Sequence, residues 1–102
     1  MPDCRAVAIL KAKPGHEQAL LDFTLSAAKE IRNVDGLQRL EVSHAWWEPT
    51  QLILYYWWES AAHSRRYLTS ELYLRIAPRL EALVGEHLLV VADLVSADPR
   101  FT

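Results

Sequence analysis

Leu52-Ile53-Leu54-Tyr55-Tyr56-Trp57-Trp58 is the stretch whose reading decides the fold. Seven apolar or aromatic residues without a Gly, Pro or charge read as a β-strand, because β-branched and aromatic side chains suit a pleated sheet. Successive side chains on a strand point to opposite faces. Leu52, Leu54, Tyr56 and Trp58 therefore line one face, and Ile53, Tyr55 and Trp57 the other. A sheet with one side in water alternates apolar with polar residues, so this strand is expected to be covered on both sides. In a chain of 102 residues the helices can cover one face, which leaves the second to a partner subunit, a ligand or both.

Just upstream, Asp35-Gly36 is a turn signal that launches a strand from Leu37 to Trp47, and Glu48-Pro49-Thr50-Gln51 turns the chain into the strand at Leu52. The two strands form an antiparallel hairpin. With a two-residue Pro49-Thr50 loop, Trp47 faces Leu52; Val42, His44, Trp46, Ile53, Tyr55 and Trp57 then share one face, and Glu41, Ser43, Trp47, Leu54, Tyr56 and Trp58 the other. Six of the thirteen residues from Trp46 to Trp58 are aromatic, which makes this hairpin the heavy end of the core.

Further out, Cys4 to Lys13 reads as a central strand stopped by Pro14-Gly15. From His16 to Asn33 an apolar stripe of Ala19, Leu20, Phe23, Ala27 and Ile31 predicts an amphipathic helix. Beyond the decisive strand, Ser60 is a candidate N-cap for a short helix through Leu68. A second helix, Ser70 to Val84, has Leu72, Ile76, Leu80 and Leu83 on one side; Pro78 is expected to kink or split it near Leu74, and Gly85 to end it. His87 to Leu94 reads as a last strand buried on both faces. The tail Asp98-Pro99-Arg100-Phe101-Thr102 is expected to order only against a neighbour.

Length and composition point to one domain spanning residues 1–102, with 51% hydrophobic and 24% charged residues arguing against disorder. A formal charge of −2 gives no electrostatic reason to expect nucleic acid or an anionic membrane. The single Cys4 cannot form an internal disulfide, and no Cys/His cluster has metal-site spacing. No apolar run approaches the ~20 residues of a membrane span, so a cytoplasmic location is expected.

Strand, helix, strand, strand, helix pair, strand is the split βαβ order of ferredoxin-like α+β folds, here with a split second helix. Helices lie on one face of such a sheet. The other would carry tryptophan and tyrosine, a patch too large for a comfortable monomer, and a twofold homodimer packed through the sheet face covers it. Along nearly its whole length the chain resembles the antibiotic biosynthesis monooxygenase family of dimeric α+β barrels. The resemblance lies in Lys13-Pro14-Gly15 after the first strand, Asp35-Gly36-Leu37 at the start of the second, Glu48-Pro49 at the hairpin and Trp58-Glu59-Ser60 at the strand-to-helix junction. It implies a homodimer and cofactor-independent oxygenation of flat aromatic, polyketide-like or quinol substrates between sheet and helices.

The chain departs from that pattern at defined positions. Many relatives have Glu where Tyr56 stands and His where Tyr67 stands, while Ser70 matches the Ser usually found just beyond. An Asn and a Tyr of the polyketide-oxidising branch align with Leu54 and Ser64. Haem degradation is rejected, because its strand-one Asn is missing and Tyr67 and Ala77 replace its Trp and iron-ligating His.

Candidate catalytic residues are Trp58, His63 and Tyr67, with Tyr56, Leu54 and Ser70 as candidate substrate contacts. Trp58 can stack on a flat ring and donate one hydrogen bond to a developing oxyanion, although core packing alone also accounts for it. His63 and Tyr67, four apart on a helix, can share a face, and histidine is the side chain that titrates near neutral pH. Tyr56 offers a hydroxyl, and plain packing is the commoner role for such a residue. His44 is expected at the dimer interface; His16 and His87, at element ends, are given no role. Arg65, Arg66, Arg75 and Arg79 read as a solvated face paired with Glu71 or Glu81. Three functions follow: an oxygenase acting on an electron-rich aromatic, a non-catalytic dimer that binds a hydrophobic aromatic small molecule or merely assembles, and, last, RNA binding.

Overall fold

The computed structural model describes residues 3–48 and 50–96. Its elements are β1 (Cys4–Ala12), α1 (Glu17–Ile31), β2 (Leu37–His44), β3 (Gln51–Trp58), α2 (Ala61–Leu68), α3 (Glu71–Leu83) and β4 (Val84–Asp93). The strands form one four-stranded antiparallel sheet in the order β2-β3-β1-β4. This is the ferredoxin-like α+β arrangement, with an open sheet and a second helical segment split into α2 and α3. Among the described residues, no helix is long and apolar enough to cross a membrane.

The alternation of β3 decides which face becomes core. Leu52, Leu54, Tyr56 and Trp58 are buried under the helices, whereas Ile53 and Trp57 are half-buried and Tyr55 is exposed on the other side. Small residues on β1 make room for the large ones, since Ala6 pairs with Tyr56 and Ala8 with Leu54. Leu20, Ala27, Ala28 and Ile31 of α1 and Ile76 of α3 complete this core. Burying each large side chain contributes ~1.5–3 kcal/mol. Both short helices begin at a serine. Ser60 Oγ accepts from His63 N–H at 3.3 Å and Ser70 Oγ from Tyr73 N–H at 3.2 Å, caps worth about 1 kcal/mol each.

Several sequence expectations are corrected. β2 ends at His44, which pairs with Leu52; Val42 pairs with Leu54 and Leu40 with Tyr56. The connection from β2 to β3 is longer than two residues and is closed by Ala45 N–H donating to Gln51 O at 3.1 Å. Trp46 and Trp47 stand in it 98% and 73% exposed. The two-residue-turn register would have put Glu41 and Ser43 on the buried face beside Leu54 and Tyr56; the observed register buries Leu40 and half-buries Val42 instead. The role assigned to Pro49, and the tail from Asp98 to Thr102, lie outside the described residues.

The last strand is not buried on both faces. β4 is an edge strand pairing with β1, and Leu88, Leu89, Val90 and Val91 are 43–56% exposed. Gly85 does not end a helix but lies inside β4, near the irregularity at Lys11/Ala12, because Val84 already takes the extended conformation. α3 runs through Pro78 without splitting, the break falling earlier, between Leu68 and Glu71. Arginine pairing also differs. Arg66 reaches Asp35 at 3.7 Å, Arg75 reaches Glu30 at 3.4 Å, and Arg79 lies over the Phe23 ring.

Candidate functional site

Between the sheet and the α2–α3 pair lies a cavity of about 130 Å³. An apolar cavity of ~150 Å³ admits benzene, so the space suits an aromatic ring. Its floor is laid by β1 and β3. Ala6, Ala8 and Leu10 are small or flexible neighbours of Leu54, Tyr56 and Trp58, and the alternation of both strands aims these side chains the same way. Its roof is Ser64, Tyr67 and Leu68 of α2 with Tyr73 and Leu80 of α3. The exposed edge strand β4 contributes His87, Leu89 and Val91 along its rim.

The aromatic rings form a continuous wall. Tyr56 and Trp58, two apart on one strand, stack with an interplanar angle of 6° and centroids 6.2 Å apart. Tyr67 packs across them at 5.5 Å from Trp58, and Tyr73 meets Tyr67 edge-on at 5.3 Å. Among the described residues, the hydroxyls of Tyr56, Tyr67 and Tyr73 and the Trp58 indole N–H make no hydrogen bond within the chain. Burial pushes the Tyr56 phenol up to about 12, with Tyr73 adding to the effect. Burial likewise drives Tyr67 well above the ordinary tyrosine range, reinforced by Tyr56 and Tyr73. These phenols stay protonated at neutral pH, so they act as hydrogen-bond donors and not as bases.

Trp58, Tyr56, Leu54 and Tyr67 all line this cavity. Ser70 stands behind it: its Oγ donates to Tyr67 O at 2.6 Å and caps α3, which holds the Tyr67 and Tyr73 backbones in place. His63 is not brought to the cavity. The buried face of α2 is centred on Ser64 and Tyr67, which turns the imidazole toward the start of β2. A hydrogen bond of 2.7 Å links His63 Nδ1 to Ser60 Oγ, and Nε2 lies 3.7 Å from Asp35 Oδ2. The expectation that His63 and Tyr67 point together at one ligand is thereby corrected. Ser60, His63 and Asp35 have the composition of a hydrolytic triad, but Ser60 is buried and committed to capping, so the group is a clasp between α2 and β2. Gly36 is part of it. Its φ of +83° favours glycine, and a Cβ there would stand 2.7 Å from His63 Cβ and overlap the ring.

Two cavity residues escaped the sequence reading, Tyr73 and His87. The signal for His87 was register, since it pairs with Leu10 and so shares the inward face with Leu89 and Val91. Tyr73 stands near the start of α3, one residue from the stripe through Leu72, Ile76 and Leu80.

A family profile described as antibiotic biosynthesis monooxygenase matches residues 4–79. No curated protein matches the chain. A Shewanella oneidensis protein of known structure is 18% identical, with a TM-score of 0.86 over 94% of each chain. One from Pseudomonas aeruginosa is 19% identical, with a TM-score of 0.83 over 94% of this chain and 97% of its own. A structure described as antibiotic biosynthesis monooxygenase is 16% identical, with a TM-score of 0.81 over 91% and 99%. At such identities the likeness carries the fold alone.

Proposed function

Because the chain belongs to the antibiotic biosynthesis monooxygenase family, we propose that it is a cofactor-independent monooxygenase acting on a flat, electron-rich aromatic, polyketide-like or quinol substrate. The observation that carries this reading is the cavity walled by Tyr56, Trp58, Tyr67 and Tyr73, whose side-chain polar atoms make no hydrogen bond among the described residues. The substrate ring lies against Trp58 and Tyr56. The Tyr67 hydroxyl donates to the oxygen on which charge develops when the substrate loses a proton. His87 at the rim accepts that proton, being the imidazole that lines the cavity. The electron-rich carbanion then reduces oxygen directly. For an anthrone-type methylene, one oxygen atom becomes the carbonyl and the other leaves as water with the two hydrogens, so the substrate supplies all the electrons.

The open sheet face supports assembly as a homodimer. Val7, Ile9, Ile53, Tyr55, Leu88 and Val90 form an apolar surface there, beside a Trp57 ring held between Arg5 at 4.4 Å and Arg39 at 5.2 Å. A second copy packed on this face would bury it. Val90→Lys is then expected to convert the dimer to monomer in sedimentation equilibrium, and an unchanged mass would reject this interface.

Oxygen uptake with an anthrone and hydroquinone panel tests the activity. Consumption above the buffer rate, lowered by His87→Ala and kept by His63→Ala, is expected. One observation favours a second reading, a non-catalytic dimer that binds an aromatic small molecule: the raised phenols leave the aromatic wall itself without a base. Saturable binding of the same compounds without oxygen uptake would establish that reading.

A further inference from the structure

Beside the aromatic cavity, between α3 and β4, lies an annex of about 60 Å³ lined by Ala77, Glu81 and Val84. The two spaces have Leu10, Tyr73, Leu80 and His87 in common in their linings and differ in chemistry. The larger is aromatic and apolar. A ligand reaching past the shared residues into the smaller would meet Glu81 at its far end. The sequence of α3 produces this gradient directly, because Tyr73, Ala77, Leu80 and Glu81 fall on one stripe at i, i+4, i+7 and i+8. At Ala77 the small side chain leaves the annex open where a longer one would fill it.

Resting on the reading of this cavity as a ligand site, we propose that the ligand is an elongated fused-ring aromatic whose far end bears a hydrogen-bond-donating hydroxyl or ammonium group held by Glu81. A carboxylate or phosphate at that end is disfavoured by like charge. Neither Lys11, which pairs with Glu48 at 3.8 Å, nor Lys13, whose stem lies beside Gly85, lines the annex. Charge-assisted hydrogen bonds to a partly exposed carboxylate support discrimination of about tenfold.

The test is a fluorescence and calorimetric titration of the full chain at pH 7 with 2-methylnaphthalene, 2-(aminomethyl)naphthalene and 2-naphthoate, which differ only in the head group. The aminomethyl compound is expected to bind about tenfold more tightly than the naphthoate, and Glu81→Gln to reduce that ratio to about twofold. Ala77→Leu, which fills the annex, is expected to weaken the aminomethyl compound more than 2-methylnaphthalene. If 2-methylnaphthalene binds but the charged heads are not distinguished, or Glu81→Gln preserves the ratio, the annex proposal is overturned while the cavity reading stands. If 2-methylnaphthalene itself fails to bind, both fall.

Discussion

Replacing Tyr67 by Phe removes one oxygen atom from the cavity wall and leaves the ring packing intact. The ring is 5% exposed and stays 5.5 Å from Trp58 and 5.3 Å from Tyr73. The lost hydroxyl has no partner within the described chain, so its removal breaks no hydrogen bond of the fold. A fully buried, unpaired hydroxyl costs ~1–3 kcal/mol. This one faces a cavity and recovers part of that cost, so urea denaturation is expected to show Tyr67→Phe equal to the parent or up to about 1 kcal/mol more stable. Catalysis should move the other way. Removing a donor to a developing oxyanion costs ~10²–10³ in kcat, and with Tyr73 and Trp58 alongside, the lower end is expected. Stopped-flow oxygen consumption under saturating substrate measures this directly. Unchanged kcat would refute the donor role, and destabilisation beyond about 1 kcal/mol would show that the hydroxyl is paired inside the fold. Tyr67→Ala is the contrast, since losing the ring should cost ~3–5 kcal/mol whatever the function.

Alkali provides a second test. Tyr56 and Tyr67 are held above the ordinary tyrosine pKa in the folded chain, so their contribution to stability is intact below pH ~10 and is lost as pH rises toward 12. With both phenols ionised in the unfolded chain and neutral in the native one, unfolding free energy should fall by up to ~2.7 kcal/mol per pH unit, and by half that in Tyr67→Phe; equal slopes would show that Tyr67 does not titrate this way. Gly36→Ala combines a left-handed backbone strain of ~1–2 kcal/mol with the overlap on His63. A loss of ~2–4 kcal/mol by thermal or urea unfolding is expected, and a neutral result would place His63 elsewhere. Cys4 is fully buried, and burial followed by Asp93 pushes its thiol up. It should resist a thiol reagent until the chain unfolds, so stoichiometric labelling of the native protein would contradict the packing.

The strand and helix order was legible in the sequence because periodicity reports which face of an element is apolar. Leu52, Leu54, Tyr56 and Trp58 share a face by strand alternation alone, whatever the pairing, and the Ser60 and Ser70 boundaries follow from local capping chemistry. The hairpin register was not legible, because the run through Trp46 and Trp47 has as much strand character as the segment that pairs. Only the requirement to bury Leu40 beside Tyr56 excludes it. The edge position of β4 is hidden for a related reason. A run of Leu and Val looks the same in a central strand and at an edge, and its place beside β1 alone is a property of the assembled sheet. The site divides along the same line. Trp58, Tyr56 and Tyr67 follow from strand alternation and a helix stripe, whereas the turning of His63 toward Asp35 and the arrival of His87 at the rim depend on how α2 and β4 dock. One chain therefore fixed its elements and their apolar faces through local geometry. Which of those faces became cavity, clasp or open surface was decided by long-range packing, because burying the large rings on one side of the sheet sets how the strands and helices dock.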